Sequence, residues 1–304
     1  MEEKSREQFL RDYNFRSADL VRSGLEYQDL LQIKKDFESK LEEYDDAGAG
    51  VVRSLLRFGV VHALKYRIKE PEHLIAKVLR CRIKSPAQNI TLNNYEEAVS
   101  DLIGIRILHL TKSHWYKVHE ILQKHYNHLE PPVANIRAGD PDHLINIFKE
   151  KGCEIKVHPA GYRSVHYLIE TAPAKKKFRV EVQVRTIFEE AWGEIDHAVR
   201  YPRLTTDPLM QEFLKILNRL AGSADEMAEF VLGLKEEIIL KNTVSEQLKA
   251  EIVQLTTELD RSSLDSTEKE GIFKRLESLR ALVLAQGERP ILSSIYLPEK
   301  DELD

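Results

Sequence analysis

Tyr162, Ser164 and His166 stand at alternate positions of GYRSVHYLIE (161–170), and Glu181, Gln183 and Arg185 do the same in FRVEVQVRT (178–186). Such alternation predicts two β-strands, with Val165, Tyr167 and Ile169 and then Val180, Val182 and Val184 on the packed face. Neighbouring strands lie about 5 Å apart, so a ring, an imidazole, a carboxylate, an amide and a guanidinium on the other face can share one ligand. A plain solvated sheet face is the competing reading. A second cluster is cationic. His73, Lys77, Arg80 and Lys84 recur on one side of a helical run whose other side is Leu74, Ile75, Val78 and Leu79, with Arg67 and Lys69 just ahead. Guanidinium forks and ammonium groups bind polyphosphate oxygens; a solvated basic helix face is the alternative. Asp101 heads the apolar run DLIGIRILHL (101–110) and reads as a cap or a metal ligand. Paired with Glu181 it would suit Mg²⁺, which takes one or two carboxylates plus phosphate oxygens. Arg106, set among Ile and Leu, needs a partner, because burying a guanidinium unpaired is costly. No GxxxxGK[ST] or GxGxxG motif occurs, so a standard nucleotide-binding loop is not indicated.

These residues need a frame. Pro71 suits the first turn of the cationic helix, where its missing N–H costs nothing. Residues 17–44 carry Leu30, Ile33, Phe37 and Leu41 at helical spacing, and Gly48 and Gly50 are expected to break the chain before a second helical run, 51–64. The run 101–110 is read as apolar on both faces and central in a sheet. A helix is predicted over 113–126 through Trp115, Val118, Ile121 and Leu122, a loop over 130–143, and a short helix over 144–152. Past Pro202 and Pro208 the pattern is helical only. Phe230, Val231, Leu234, Ile238, Val244, Leu248, Ile252, Leu255 and Leu259 make a partly heptad-like stripe that misses a register at Lys241. Thr267 and Glu270 read as a capping box opening a last helix through Leu284, with a mobile tail after Pro290.

The chain has 304 residues, 42% of them hydrophobic and 31% charged, which fits a helix-rich globule of one large domain or a medium domain with an appendage. Its net charge of −5 argues against coating nucleic acid by bulk electrostatics, so an anion site must be a local concentration of cations. Cys81 and Cys153 stand apart from any CxxC or Cys/His cluster, which leaves no disulfide framework or structural zinc and makes a reducing, cytoplasmic setting the expectation. No apolar run is long enough to span a bilayer and the N-terminus lacks a signal-peptide pattern, so no membrane partner is expected.

Taken together, the motifs resemble the RelA/SpoT-type alarmone synthetase domain, which transfers pyrophosphate from ATP to the ribose 3′-hydroxyl of a guanine nucleotide. Arg67-x-Lys69 with Lys77 resembles the family's ATP-binding motif, and Asp101 to Arg106 its metal-ligand strand. GYRSVH resembles the acceptor-binding loop, and VEVQVRT followed by EEAWGEIDHAVRY the family's most recognisable signature. The resemblance spans roughly residues 15–203. It implies an α+β fold, a mixed β-sheet flanked by helices and nucleotidyltransferase-like, with N-terminal helices over 1–66, the synthetase domain over 67–203 and an all-α extension over 204–304.

The roles it implies are specific. Arg67 and Arg106 would flank the adenine, Lys69 and Lys77 would hold the ATP phosphates, and His73 stands at an ATP-side position where the family usually has serine. Asp101 and Glu181 would bind Mg²⁺, and Glu181 would orient or deprotonate the attacking hydroxyl. Tyr162 would stack on the acceptor base, with His166, Gln183 and Arg185 organising that side; His158 replaces the family's usual lysine ahead of Gly161. Trp192 is read as packing, and His197 as either a structural hydrogen-bonder or a substrate contact. The implied activity is that of a small, synthesis-only GTP pyrophosphokinase, since only helices precede residue 67 and no paired His-Asp metal motif stands there. Two alternatives remain open: a toxin-like relative acting on the tRNA 3′ end or an adenine nucleotide, with an antitoxin as partner, and a non-catalytic nucleotide- or RNA-binding regulator. Homo-oligomerisation through the C-terminal helices is expected.

Overall fold

A computed structural model describes residues 4–173, 175–200, 207–263 and 265–288. The chain resolves into two compact units, Met1–Glu226 and Met227–Asp304. No helix among the described residues is long and apolar enough to cross a membrane. Pro202 and the tail past Pro290 lie outside the described residues.

The first unit opens with helices α1 (Arg6–Asp12), α2 (Ser17–Ser23), α3 (Tyr27–Glu38) and α4 (Leu41–Leu56). Ser5 caps α1 by accepting the Gln8 N–H, and α2 ends on Gly24 at φ 68°, a left-handed cap that favours glycine. Gly48 and Gly50 do not break the chain; both lie inside α4. At Gly48 a Cβ would stand 3.2 Å from Ile103 and Tyr66, so the glycine lets the helix press against the sheet. The second half of the expected helix 51–64 is instead the end of α4, a turn, and the start of strand β1 (Ala63–Ile68).

Helix α5 (Pro71–Lys84) starts on Pro71 as expected and buries Leu74, Ile75, Val78 and Leu79 against α2 and α3. After the one-turn α6 (Tyr95–Ala98) comes β2 (Ile103–His109), then α7 (Trp115–His125), β3 (Asn127–His128), β4 (Val133–Ile136), α8 (Asp142–Glu150) and β5 (Glu154–Val157). The expected loop 130–143 thus contains a strand. Its β character was hidden by two preceding prolines and is fixed by pairing with β5 and with β6 (Ser164–Thr171). Strand β7 (Phe178–Thr186) completes the hairpin with β6, and α9 (Ile187–Arg200) follows.

The sheet is mixed and seven-stranded, in the order β1-β2-β7-β6-β4-β5 with β3 also on β6. Parallel pairing of β2 with β7 and antiparallel pairing elsewhere at the centre brings Ile103, Ile105, Ile107, Val180, Val182, Val184, Val165, Tyr167 and Ile169 onto one face. That face is buried under α4 and α7. β2 is central, but it is not apolar on both faces: Gly104, Arg106 and Leu108 point to the opposite side, over which α9 lies.

Helix α10 (Pro208–Arg261) begins with Asp207 accepting the N–H groups of Leu209 and Met210, and its first turns, to Glu226, belong to the first unit. The remainder of α10 and helix α11 (Ser266–Glu288) make the second unit, with Ile252, Leu259 and Leu276 buried. α10 is continuous through Lys241. The cap of α11 is Asp265, which accepts from the N–H groups of Thr267 and Glu268; a carboxylate one residue before the helix outcompetes the expected Thr267 box.

Candidate active site

Strand register sets the polar face. One row across the sheet reads Arg67, Gly104, Glu181 and Leu168; the next reads Lys65, Arg106, Gln183 and His166. Gly104 puts no side chain between Arg67 and Glu181, and the Arg67 side chain lies against it, its Cγ 3.8 Å from where a Cβ would stand.

Asp101 stands just ahead of β2, where the end of β1 and one side of α5 converge on it. Lys69 Nζ lies 2.7 Å from one carboxylate oxygen and Lys77 Nζ 2.8 Å from the other. The Lys77 contact is an ion pair without hydrogen-bond geometry, so the buried Oδ1 keeps an unused lone pair. Burial pushes the Asp101 carboxyl up, but Lys77 and Lys69 outweigh it and hold the group below its ordinary value. Burial also lowers the Lys69 ammonium, against the pull of Asp101.

The cations of α5 do not form one patch. Lys77 reaches Asp101, Arg80 lies over the Phe15 ring, and His73 sits edge-on to Tyr13, 3.5 Å from the Glu70 carboxylate. Burial first, then Lys69, Arg67 and Arg80 against the pull of Glu70, hold the His73 imidazole below its ordinary value.

The Glu181 carboxylate faces His166 Nδ1 at 3.2 Å. Burial raises its carboxyl, His166 pulls it down further than that, and the negative charge of Asp101, just ahead of the neighbouring strand, pushes it up. On the other side of Glu181 a cleft of about 320 Å³ is lined by His158, Tyr162 and His166. Tyr162 precedes β6 rather than standing on it. Its hydroxyl meets His166 Nε2 at 3.3 Å, the His158 ring lies 5.4 Å from its ring, and the Arg185 guanidinium sits 5.4 Å from its centroid. Arg185 is buried and reaches this cleft through Tyr162. Gln183 lies beside His166 in the sheet row.

Residues 66–206 match the family described as the region found in RelA / SpoT proteins. The match is confined to residues 66–206, a RelA/SpoT region within the first unit. A GTP pyrophosphokinase of Bacillus subtilis (strain 168), YwaC, is 28% identical over 179 residues, which is 57% of this chain and 73% of YwaC. The fold is shared with small alarmone synthetase 1 of Bacillus subtilis. Its structure bound to pppGpp has a TM-score of 0.50 at 20% identity, covering 66% of this chain and 99% of that one. A second structure of that synthetase has a TM-score of 0.50 at 18% identity, covering 66% and 98%.

Within the matched region, two acids missed in the sequence complete the polar face. Glu190 and Glu194, a turn apart on α9, hold the guanidinium of Arg106, and Glu190 also holds that of Arg185. Their four-residue spacing in EEAWGE was the available signal. Gly193 sits between them because a Cβ there would come 2.8 Å from Arg185 Nη1. Trp192 packs as expected, donating its Nε1–H to the Leu214 carbonyl at 3.1 Å, and His197 lies exposed on the same helix.

Asp101 and Glu181 fit a divalent cation. They are hard oxygen donors, Asp101 just ahead of β2 and Glu181 on the neighbouring β7, one with an unused buried lone pair, and Lys69 and Lys77 stand where phosphate oxygens would bring the remaining ligands.

Proposed function

We propose that this protein is an ATP-dependent pyrophosphokinase that moves the β,γ-pyrophosphate of ATP to the ribose 3′-hydroxyl of GDP or GTP, giving AMP and (p)ppGpp. The observation that carries this reading is the position of Glu181. It lies between the Lys69–Asp101–Lys77 cluster, suited to polyphosphate, and the cleft of Tyr162, His158 and His166, suited to a base and its ribose.

Lys69 and Lys77 would exchange Asp101 for phosphate oxygens, and Arg67, exposed at the edge of the same row, has a planar guanidinium free to lie on the adenine. Arg106 would join it there by leaving Glu190 and Glu194. Tyr162 stacks on the acceptor base. Glu181 accepts the hydrogen bond of the 3′-hydroxyl and takes its proton as the bond from O3′ to the β-phosphorus forms; the bond from the β-phosphorus to the α-bridging oxygen breaks, and AMP leaves. Its carboxyl is held low by His166, so it is ionised and ready to accept, and orientation supplies more of the rate than basicity does. Mg²⁺ held by Asp101 and Glu181 would neutralise charge on the transferring phosphates.

The deciding experiment incubates the protein with ATP labelled in its γ-phosphate and GDP, GTP, ATP or tRNA as acceptor. Label on a guanine nucleotide, with AMP formed in equal amount, is the expected result. Release of label only as free phosphate or pyrophosphate overturns it. Label on tRNA would instead favour a macromolecular acceptor, a reading supported by a second cleft of about 730 Å³ where Arg137, Lys215 and Arg219 gather beside the acceptor loop. Nucleotide binding without transfer would mark a silent regulator.

A further inference from the structure

Tyr162 is the residue on which acceptor recognition rests in the reading above, and its ring meets His158, His166 and Arg185. Its backbone is held as well, because both of its neighbours are tied down. On one side the Gly161 carbonyl accepts from Asn218 Nδ2 at 3.0 Å. On the other side the Arg163 guanidinium is caged by Asp140, through Nε at 3.0 and 3.1 Å and through Nη2, and by Glu189 at 3.1 Å.

These two ties are one structure. Asn218 Oδ1 accepts from Arg137 Nη1 at 3.3 Å, and the Arg137 N–H donates to Asp140 at 2.8 Å. Gly161, Asn218, Arg137, Asp140 and Arg163 therefore form a ring of hydrogen bonds closed through Tyr162. Asn218 is 3% exposed and Asp140 7%. Gly161 has φ 74°, and a Cβ there would stand 3.1 Å from Asn218 Oδ1 and 3.3 Å from Arg137 Cγ, so the loop is folded tightly onto this amide.

Asn218 lies on α10, well past the family match at 66–206, in a stretch that the sequence assigns only to self-association. We propose that Asn218 is a positioning residue for the acceptor: by donating to the Gly161 carbonyl it holds Tyr162 in the cleft, so the first turns of α10 are part of the acceptor site. The proposal rests on the reading of Tyr162 as the acceptor's stacking partner. Asn218 touches no reacting atom, and its loss should appear in acceptor binding rather than in the chemical step.

Three variants and one double variant test it, with steady-state kinetics for both substrates and melting temperature. Asn218→Ala should raise the acceptor KM about 3- to 30-fold, the range for a lost buried hydrogen bond, and leave the KM for ATP and the kcat at saturating acceptor near their original values. Asn218→Asp, of the same shape but unable to donate to Gly161, should do the same. Tyr162→Ala should raise the acceptor KM about 5- to 150-fold. In the Tyr162→Ala background, Asn218→Ala should add less than about twofold, because the ring it positions is gone.

An unchanged acceptor KM in Asn218→Ala overturns the proposal while Tyr162→Ala still behaves as expected. So does an equal further penalty in the double variant, since a structural residue would act regardless of Tyr162. Parallel losses for both substrates together with melting temperature, or failure of both Asn218 variants to fold, make Asn218 a structural residue and also overturn it. If Tyr162→Ala itself leaves the acceptor KM unchanged, the reading of Tyr162 falls and the proposal falls with it.

Discussion

Asp101 and Glu181 satisfy their charges in opposite ways. Asp101 is answered by two lysines and Glu181 by one histidine, so each carboxylate has a nitrogen partner that a nucleotide can displace. Asp101→Asn or Glu181→Gln should therefore lower turnover by orders of magnitude with the fold intact, measured as kcat beside the circular dichroism melt; a folded variant of near-normal turnover removes that residue from the chemistry. A different balance holds under the acceptor loop. Asp225 is fully buried, and burial first, relieved in part by Thr186 donating at 3.0 Å, holds its carboxyl above the ordinary value. Glu189 is raised for the same reason. An acid whose folded pKa is raised binds its proton more tightly in the folded state, so stability is fully present below the unfolded value of about 4 and is lost as pH rises through the folded value. Asp225→Asn keeps the acceptor for Thr186 and carries no charge. Its melting temperature relative to the parent should be higher at pH 8 than at pH 4; a difference of constant size across that range contradicts the assignment. Asp101 has the opposite sign, contributing stability above about 4 that is lost as acid protonates it.

At the scale of elements, the site depends on how closely three helices approach one sheet. Gly48 and Gly193 mark two of these approaches. A Cβ at Gly48 would press on Ile103 and Tyr66 at the core face, and one at Gly193 on Arg185 at the polar face. Gly50, two residues along α4, has nothing within 4 Å of the same virtual atom. The two α4 glycines should then respond in opposite directions. Gly48→Val should cost about 1–3 kcal/mol by overpacking, while Gly50→Ala should gain about 0.5–1 kcal/mol from helix propensity. Urea denaturation midpoints check both, and a Gly48→Val protein as stable as the parent would mean that α4 can move off the sheet without loss. The third approach is that of α10, whose Asn218 reaches Gly161 and whose Leu214 carbonyl receives Trp192. Elements of widely separated sequence thus converge on a loop of a few residues.

For the whole molecule, the second unit carries more apolar surface than it buries. Val244 and Leu248 are each 45% exposed and Leu255 42%, whereas Ile252 and Leu259 are buried. A stripe of this size on a charged helix fits self-association. Val244→Glu with Leu248→Glu, both at exposed positions, should lower the mass measured by light scattering without lowering the melting temperature of the first unit. An unchanged mass places any interface elsewhere. Sequence alone carried a large part of this description, because period and residue type are local. The alternation in 161–170 and 178–186 fixed two strands and their faces, Pro71 fixed the start of α5, and the order of motifs from Arg67 through EEAWGEIDHAVRY was enough to indicate the family resemblance. Tertiary structure decided what depends on distant partners. β4 exists because β5 and β6 pair with it across proline-flanked chain, Gly48 is helical because a strand lies against it, and the α5 cations separate because each meets a different neighbour. Glu190 and Asn218 became site residues only when α9 and α10 were laid beside the sheet. A hydrogen bond between residues 57 positions apart leaves no period in the sequence, since nothing local requires it.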